Sequence, residues 1–112
     1  MRYLPSILLF LSGCAAVPFK DIKAGDVDNL AYSVAQLIEY RADQPKWLEA
    51  ETCIYRGYGN CKCKAAVSCF IINQWDGWAC WYERPNPFHV RARFYDFSRG
   101  WIGYIDDNVF WE

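Results

Sequence analysis

The sequence predicts an α+β domain, with helices in the first half and an antiparallel meander in the second. Three observations carry this. Apolar residues recur at three- and four-residue spacing through two early segments, 26–42 and 61–75. They recur at every second residue across 88–97. Turn-forming groups punctuate the second half at Asp76-Gly77, Pro85-Asn86-Pro87 and Ser98-Arg99-Gly100.

Each element has its own signal. Asp26 suits a helix N-cap and Asp28 the first turn, where the helix dipole favours negative charge. Val27, Leu30, Ala31, Val34, Leu37 and Ile38 then form one apolar face, and Pro45 ends the helix. Residues 46–60 read as a connection, with a turn at Gly57 and Gly59. Asn60 suits the N-cap of a second helix whose stripe is Ala65, Ala66, Cys69, Phe70 and Ile72. Strands follow at 78–83 and 88–97. The second places Phe88, Val90, Ala92 and Phe94 on one face and His89, Arg91, Arg93 and Tyr95 on the other. A hairpin partner at 101–105 and a short strand at 108–111 complete a sheet of three to four strands. No internal repeat or low-complexity segment is present.

The N-terminus carries a second message. Arg2, an apolar run from Ile7 to Leu11 and the small residues Ser12 and Gly13 have the layout of a secretory signal, and the run is too short to span a bilayer. Leu11-Ser12-Gly13-Cys14 resembles the lipobox of bacterial lipoproteins. The resemblance implies cleavage before Cys14, a lipid on that cysteine and, with Ala15 rather than Asp next to it, outer-membrane retention facing the periplasm. The chain then divides into a signal peptide at 1–13, a lipidated tether at 14–25 and a domain at 26–112.

Composition narrows the function. The net charge of −1 gives no basic footprint for nucleic acid. Aromatic residues make up 19% of the chain, enough to supply much of a small core or to line a groove. Besides Cys14 the cysteines are Cys53, Cys61, Cys63, Cys69 and Cys80. Export puts them where disulfides form, and an odd number leaves at least one thiol free or bridging another molecule.

Cys61 follows a glycine turn at the first position of a helix, where unpaired N–H groups and nearby Arg56, Lys62 and Lys64 favour the thiolate. His89 is the one histidine in the chain, so any thiol–imidazole arrangement must use it. Asp106 follows the next strand and can orient the imidazole through its second nitrogen. Alternation nevertheless puts His89 on the face opposite the apolar one, which requires it to reach round the strand's start or to be re-aimed by a bulge. Cys61, Cys63, Cys69 and His89 are able to bind zinc but lack the paired spacing of zinc modules, so no metal and no cofactor is expected.

In order, these residues resemble a known family. Trp47-Leu48-Glu49-Ala50-Glu51, Gly57-Tyr58-Gly59-Asn60-Cys61, then His89, Gly100-Trp101 and Asp106 resemble the bacterial transglutaminase-like cysteine peptidases. Those proteins show a tryptophan, a Pro-x-Glu and a Gly-Asp-Cys-Glu-Asp run, and later a histidine opening a strand, a glycine-tryptophan and an aspartate. Here Lys62 and Cys63 replace the acidic pair, Asn60 replaces its aspartate and Glu49 stands for the proline. Calcium is therefore not expected.

The resemblance implies a minimal transglutaminase-like, papain-related domain with the Cys61 helix packed on the sheet. It implies acyl transfer by Cys61, His89 and Asp106, with Trp47 or Trp101 walling the cleft. The substrate class would be an envelope protein or a peptidoglycan peptide, with the membrane engaged only through the lipid. With Cys61 as nucleophile four cysteines remain. Cys69 and Cys80 flank the turn from helix to strand and form one expected disulfide, and Cys53 and Cys63 the other. The alternative expectation is a catalytically inactive, disulfide-stapled lipoprotein that binds an envelope partner through its aromatic surface.

Overall fold

A computed structural model describes residues 16–42 and 47–112. The expected signal segment, the expected lipidation site Cys14 and the expected helix stop at Pro45 lie outside these residues. The order is a 3-10 turn (Phe19–Asp21), α1 (Val27–Leu37), β1 (Glu39–Tyr40), α2 (Ala50–Arg56), β2 (Tyr58–Gly59), α3 (Cys61–Ile72), and then β3 (Trp78–Asn86), β4 (His89–Asp96), β5 (Trp101–Asp106) and β6 (Asn108–Trp111). The last four strands form one antiparallel sheet in sequence order, and β1 and β2 form a separate parallel pair. The fold is α+β, helices first and meander second. Among the described residues no helix is long and apolar enough to cross a membrane.

α1 begins as its sequence dictates. The Asp26 carboxylate accepts from the Asn29 backbone N–H at 3.1 Å. Val27, Leu30, Ala31 and Val34 are buried. The helix stops at Leu37, five residues earlier than the apolar period suggests. Ile38 is already extended, and the Glu39 and Arg41 N–H groups bond the Gly57 and Gly59 carbonyls at 2.9 and 2.8 Å. Ile38 still packs fully into the core, so its burial mimicked a continuing helix.

The expected connection at 46–60 contains a helix, α2. Gly57 is not a free turn but the residue that closes it. At φ 75 its N–H bonds the Cys53 carbonyl at 2.9 Å, the left-handed cap that glycine makes without steric cost.

α3 is the centre of the fold. Asn60 caps it, its side-chain oxygen accepting from Lys62 N–H at 2.9 Å. The helix lies across β3 and β4, with α1 and α2 packed on its other sides. Cys63, Val67 and Ile72 are fully buried, and Ala65, Ala66 and Cys69 nearly so. A helix covered on most sides needs apolar or small residues nearly all round, and this one has them. Ser68, also buried, donates to the Lys64 carbonyl at 2.9 Å and so carries no unmet hydrogen bond.

Two disulfides hold α3, in the expected pairing. Cys53–Cys63 joins it to α2 with Cα atoms 5.6 Å apart, and Cys69–Cys80 joins it to β3 at 5.0 Å. Both distances are ordinary for a bridge. Each closes a short loop and contributes about 2–3 kcal/mol through the unfolded state. Asn73 reinforces the second bridge, pairing with both backbone groups of Cys80 at 2.8 and 3.1 Å.

The sheet follows the expected alternation. Val90, Ala92 and Phe94 are buried, while Arg91 and Arg93 lie outside, both held by Glu83 at 2.6 and 2.8 Å. Two expectations are corrected. β3 runs on to Asn86, so Pro85 and Asn86 belong to a strand that bulges between Glu83 and Asn86 rather than to a turn. Phe88 is not on the apolar face: it precedes β4 in the turn and is 93% exposed.

Between β4 and β5 the chain turns through Ser98-Arg99-Gly100, latched by Asp96. This buried carboxylate accepts from Ser98 N–H, Ser98 hydroxyl and Arg99 guanidinium. The Arg99 hydrogen bond, with those of Ser98, holds the Asp96 carboxyl below its ordinary value despite burial. A lowered folded value means the stabilisation is present above the ordinary aspartate value of 3.8 and is lost as pH falls through the folded one. The urea midpoint should therefore drop between neutral pH and about pH 3. Asp96→Asn should lower the neutral-pH midpoint and shrink that drop. An unchanged drop would mean other carboxylates cause it.

Gly103 is set by packing. A Cβ there would lie 2.7 Å from the Phe110 carbonyl oxygen and 3.0 Å from Phe94 Cζ. Phe94 is fully buried with Trp111 against its edge, so neither neighbour has room to move. Gly103→Ala should destabilise by about 2 kcal/mol in chemical denaturation.

Candidate active site

The site forms where three element ends meet: the start of α3, the start of β4 and the end of β5. Cys61 is the first residue of α3, placed by the Asn60 cap. It is half-buried and is the one free cysteine among those described. The other four are consumed by the disulfides, which removes Cys63 and Cys69 from the zinc set considered above. Among the described residues no three of His, Cys, Asp and Glu converge as metal ligands would.

His89 opens β4 and Asp106 closes β5. The ladder pairs Ala92 with Ile105, so both residues project on the outer face of neighbouring strands, diagonal to each other. Their side chains meet, with His89 Nε2 and Asp106 Oδ2 2.8 Å apart and both about one-third exposed. A carboxylate only accepts hydrogen bonds. In the neutral imidazole the proton therefore sits on Nε2 toward Asp106, and the Nδ1 lone pair is left to take another proton.

Cys61, His89 and Asp106 line one small pocket of about 60 Å³ with Tyr40, Lys64 and Arg91. Alternation does put His89 on the outer face, as expected. It still shares the pocket because it is the strand's first residue, at the sheet end against which α3 begins. The bulge in β3 lies directly opposite. Among the described residues the hydrogen-bonded pair of the three is His89–Asp106, and Cys61 lines the same pocket without a hydrogen bond to the imidazole.

The pocket's other charges are paired. Lys64 reaches Asp107 at 3.3 Å. Arg91 is braced by Glu83 and stacked 3.7 Å over the Tyr104 ring. Partial burial works against its charge, but the hydrogen bond and charge of Glu83 outweigh this and, with Tyr104 and Asp106, hold its proton more tightly than usual.

A second, open hollow of about 590 Å³ meets the first at Cys61 and Tyr40, and its wall includes Lys62, Arg84 and Phe88. Tyr40 thus takes the walling position expected of Trp47 or Trp101. Trp47 instead packs against Tyr82, their ring centres 4.7 Å apart and the rings tilted, in a neighbouring depression that also touches Arg84. Trp101 packs edge-on to Trp111 under Arg99. Lys64, expected near Cys61, does line the pocket: Cys61, Lys64, Ala65 and Ser68 fall at i, i+3, i+4 and i+7, one face of a helix. Tyr40 had no such signal.

Compared with known proteins, the chain matches no protein-family model, no curated protein and no solved structure.

Thiol mapping of the unreduced protein should find Cys61 as the cysteine of the domain that iodoacetamide alkylates. Its rate at mildly acidic pH should fall about 100-fold in His89→Ala, the low end of what a positioned base contributes. Label on Cys53, Cys63, Cys69 or Cys80 would contradict the disulfide assignment.

Proposed function

We propose that the protein is a cysteine acyl-transfer enzyme of the bacterial envelope, a peptide or amide hydrolase or a transamidase, anchored through a lipid on Cys14. The observation that carries this reading is the sharing of one pocket by a lone free thiol and a hydrogen-bonded His–Asp pair. The order of Cys61, His89 and Asp106 in the chain, similar to that of transglutaminase-like cysteine peptidases, supports it as well. The lipobox-like run ending at Cys14 supports the location.

In this reading His89 Nδ1 takes the Cys61 proton and the sulfur attacks the carbonyl carbon. The carbonyl π electrons move to oxygen, and the backbone N–H of Cys61 helps to bind the oxyanion. When the tetrahedral intermediate collapses the C–N bond breaks, and the imidazolium gives its proton to the departing amine. A thioester remains. Water or a second amine then attacks it, again giving up its proton to His89, and the thiol is restored. Asp106 holds the imidazole tautomer and steadies its positive charge throughout.

Two measurements test the proposal. With 4-nitrophenyl acetate as a general acyl donor, intact-mass analysis should show one acetyl group on Cys61, absent in Cys61→Ala, with acylation about 100-fold slower in His89→Ala and less impaired in Asp106→Asn. In a bacterial host the full chain should incorporate labelled palmitate, and Cys14→Ser should abolish this. Acylation no faster than that of a free thiol, and indifferent to His89, would leave the domain as a binding lipoprotein. Tyr55, 92% exposed, and Phe88 would then be the first residues to examine as contacts.

A further inference from the structure

The charges around Cys61 are distributed unevenly. On the His89 side both cations have an anionic partner, Lys64 with Asp107 and Arg91 with Glu83, and the imidazole is hydrogen-bonded to Asp106. On the other side the open hollow is lined, among the described residues, by Lys62 and Arg84 and by no acidic residue. Among the described residues neither of these two makes an ion pair. Arg84 is held only by a long contact from Nη1 to the Pro87 carbonyl at 3.5 Å. Glu49 lines the adjoining depression with Arg84 and Trp47.

Two uncompensated cations in a concave site raise the local concentration of anions and leave strong hydrogen-bond donors unused. Lys62 directly follows Cys61, and Arg84 stands in the bulged end of β3. A ligand whose carbonyl is at the sulfur therefore has its next groups between them. The remaining walls, Tyr40 and Phe88, are aromatic and offer apolar contact.

We propose that the open hollow is the substrate groove and that it selects an acidic peptide, with a carboxylate seated between Lys62 and Arg84 beside the bond that Cys61 attacks. This rests on Cys61 acting as the nucleophile. Arg84 supplies a planar, two-pronged donor for the carboxylate and Lys62 a mobile point charge. Lys62, which stands where the resembled family has an acid, then becomes a specificity residue.

The test compares anionic iodoacetate with neutral iodoacetamide on the full, unreduced protein. Relative to a neutral small-molecule thiol, Cys61 should favour iodoacetate by about fivefold at low salt, and the preference should shrink as salt is added. Lys62→Gln and Arg84→Gln should each cut the preference by about half or more, read as the ratio of iodoacetate to iodoacetamide rates within the same variant, so that any change in thiolate content cancels. An amidated tripeptide carrying a central Glu should protect Cys61 from iodoacetamide, and its Gln counterpart should not. Protection by a neutral peptide with a free C-terminal carboxylate, and not by the Glu peptide, would assign the site to chain ends, overturning selection by acidic side chains.

A preference equal to the reference thiol and unmoved in both variants, with the iodoacetamide rate still dependent on His89, would overturn the anion groove and leave the nucleophile standing. An iodoacetamide rate indifferent to His89→Ala would overturn both.

Discussion

Burial of α3 is the constraint on which the other elements depend. A twelve-residue helix packed on a sheet and flanked by two further helices must fill its surroundings with small and apolar groups, and its ends must be fixed, because short helices gain little from propensity alone. The chain meets the second need with covalent ties. Cys63, in the first turn, is bound to α2, and Cys69, in the last, is bound to the start of the sheet. Between them Val67 and Ala66 are tightly packed. With α3 fixed at both ends, the position of its first residue is fixed as well, and that residue is Cys61.

The other half of the site depends on sheet register. His89 and Asp106 lie on different strands and meet only because β4 pairs with β5 in the register that sets Ala92 against Ile105. A slip of one residue would move Asp106 to the inner face and separate the pair. The register is held by features remote from the site. Asp96 latches the turn at the far end of the hairpin, and Gly103 lets the Phe94 ring lie against the β5–β6 ladder. Packing at one end of the sheet thus maintains a hydrogen bond at the other.

The sequence made much of this legible, for identifiable reasons. Helix and strand periods were clear wherever one face is buried, as in Leu30 to Val34 or Val90 to Phe94. The caps at Asp26 and Asn60 were read from side chains that bond their own backbone. What stayed hidden depended on distant partners. Nothing local announces that Ile38 turns into a strand, because its partner segment lies twenty residues on, at Tyr58. α2 was missed because Glu49 offers no side-chain cap and because a glycine that closes a helix looks, in sequence, like one that makes a turn. Phe88 was assigned inward because the alternation was extended one residue past the strand's first pairing at His89. Of the candidate site, the three residues that share the pocket, Cys61, His89 and Asp106, were readable from residue type and order. Tyr40, Arg84 and the uneven charge were not, since they come together only through the β1–β2 pairing and the bulge of β3.

The sorting of the five described cysteines into two bridges and one thiol has a geometric cause. Cys61 and Cys63 are two residues apart on α3, and at about 100° per residue their side chains leave the helix some 200° apart. Cys63 faces α2 and is wholly enclosed there with Cys53, whereas Cys61 faces the outer hollows. Cys53 lies inside the core and can be reached from only one of these directions. Exchange of partners between the two would require α3 to rotate by half a turn, exposing Val67 and Ile72 to water. The same burial that makes the helix stable therefore keeps its first cysteine out of the two internal bridges, since neither Cys53 nor Cys63 can turn toward it without unfolding.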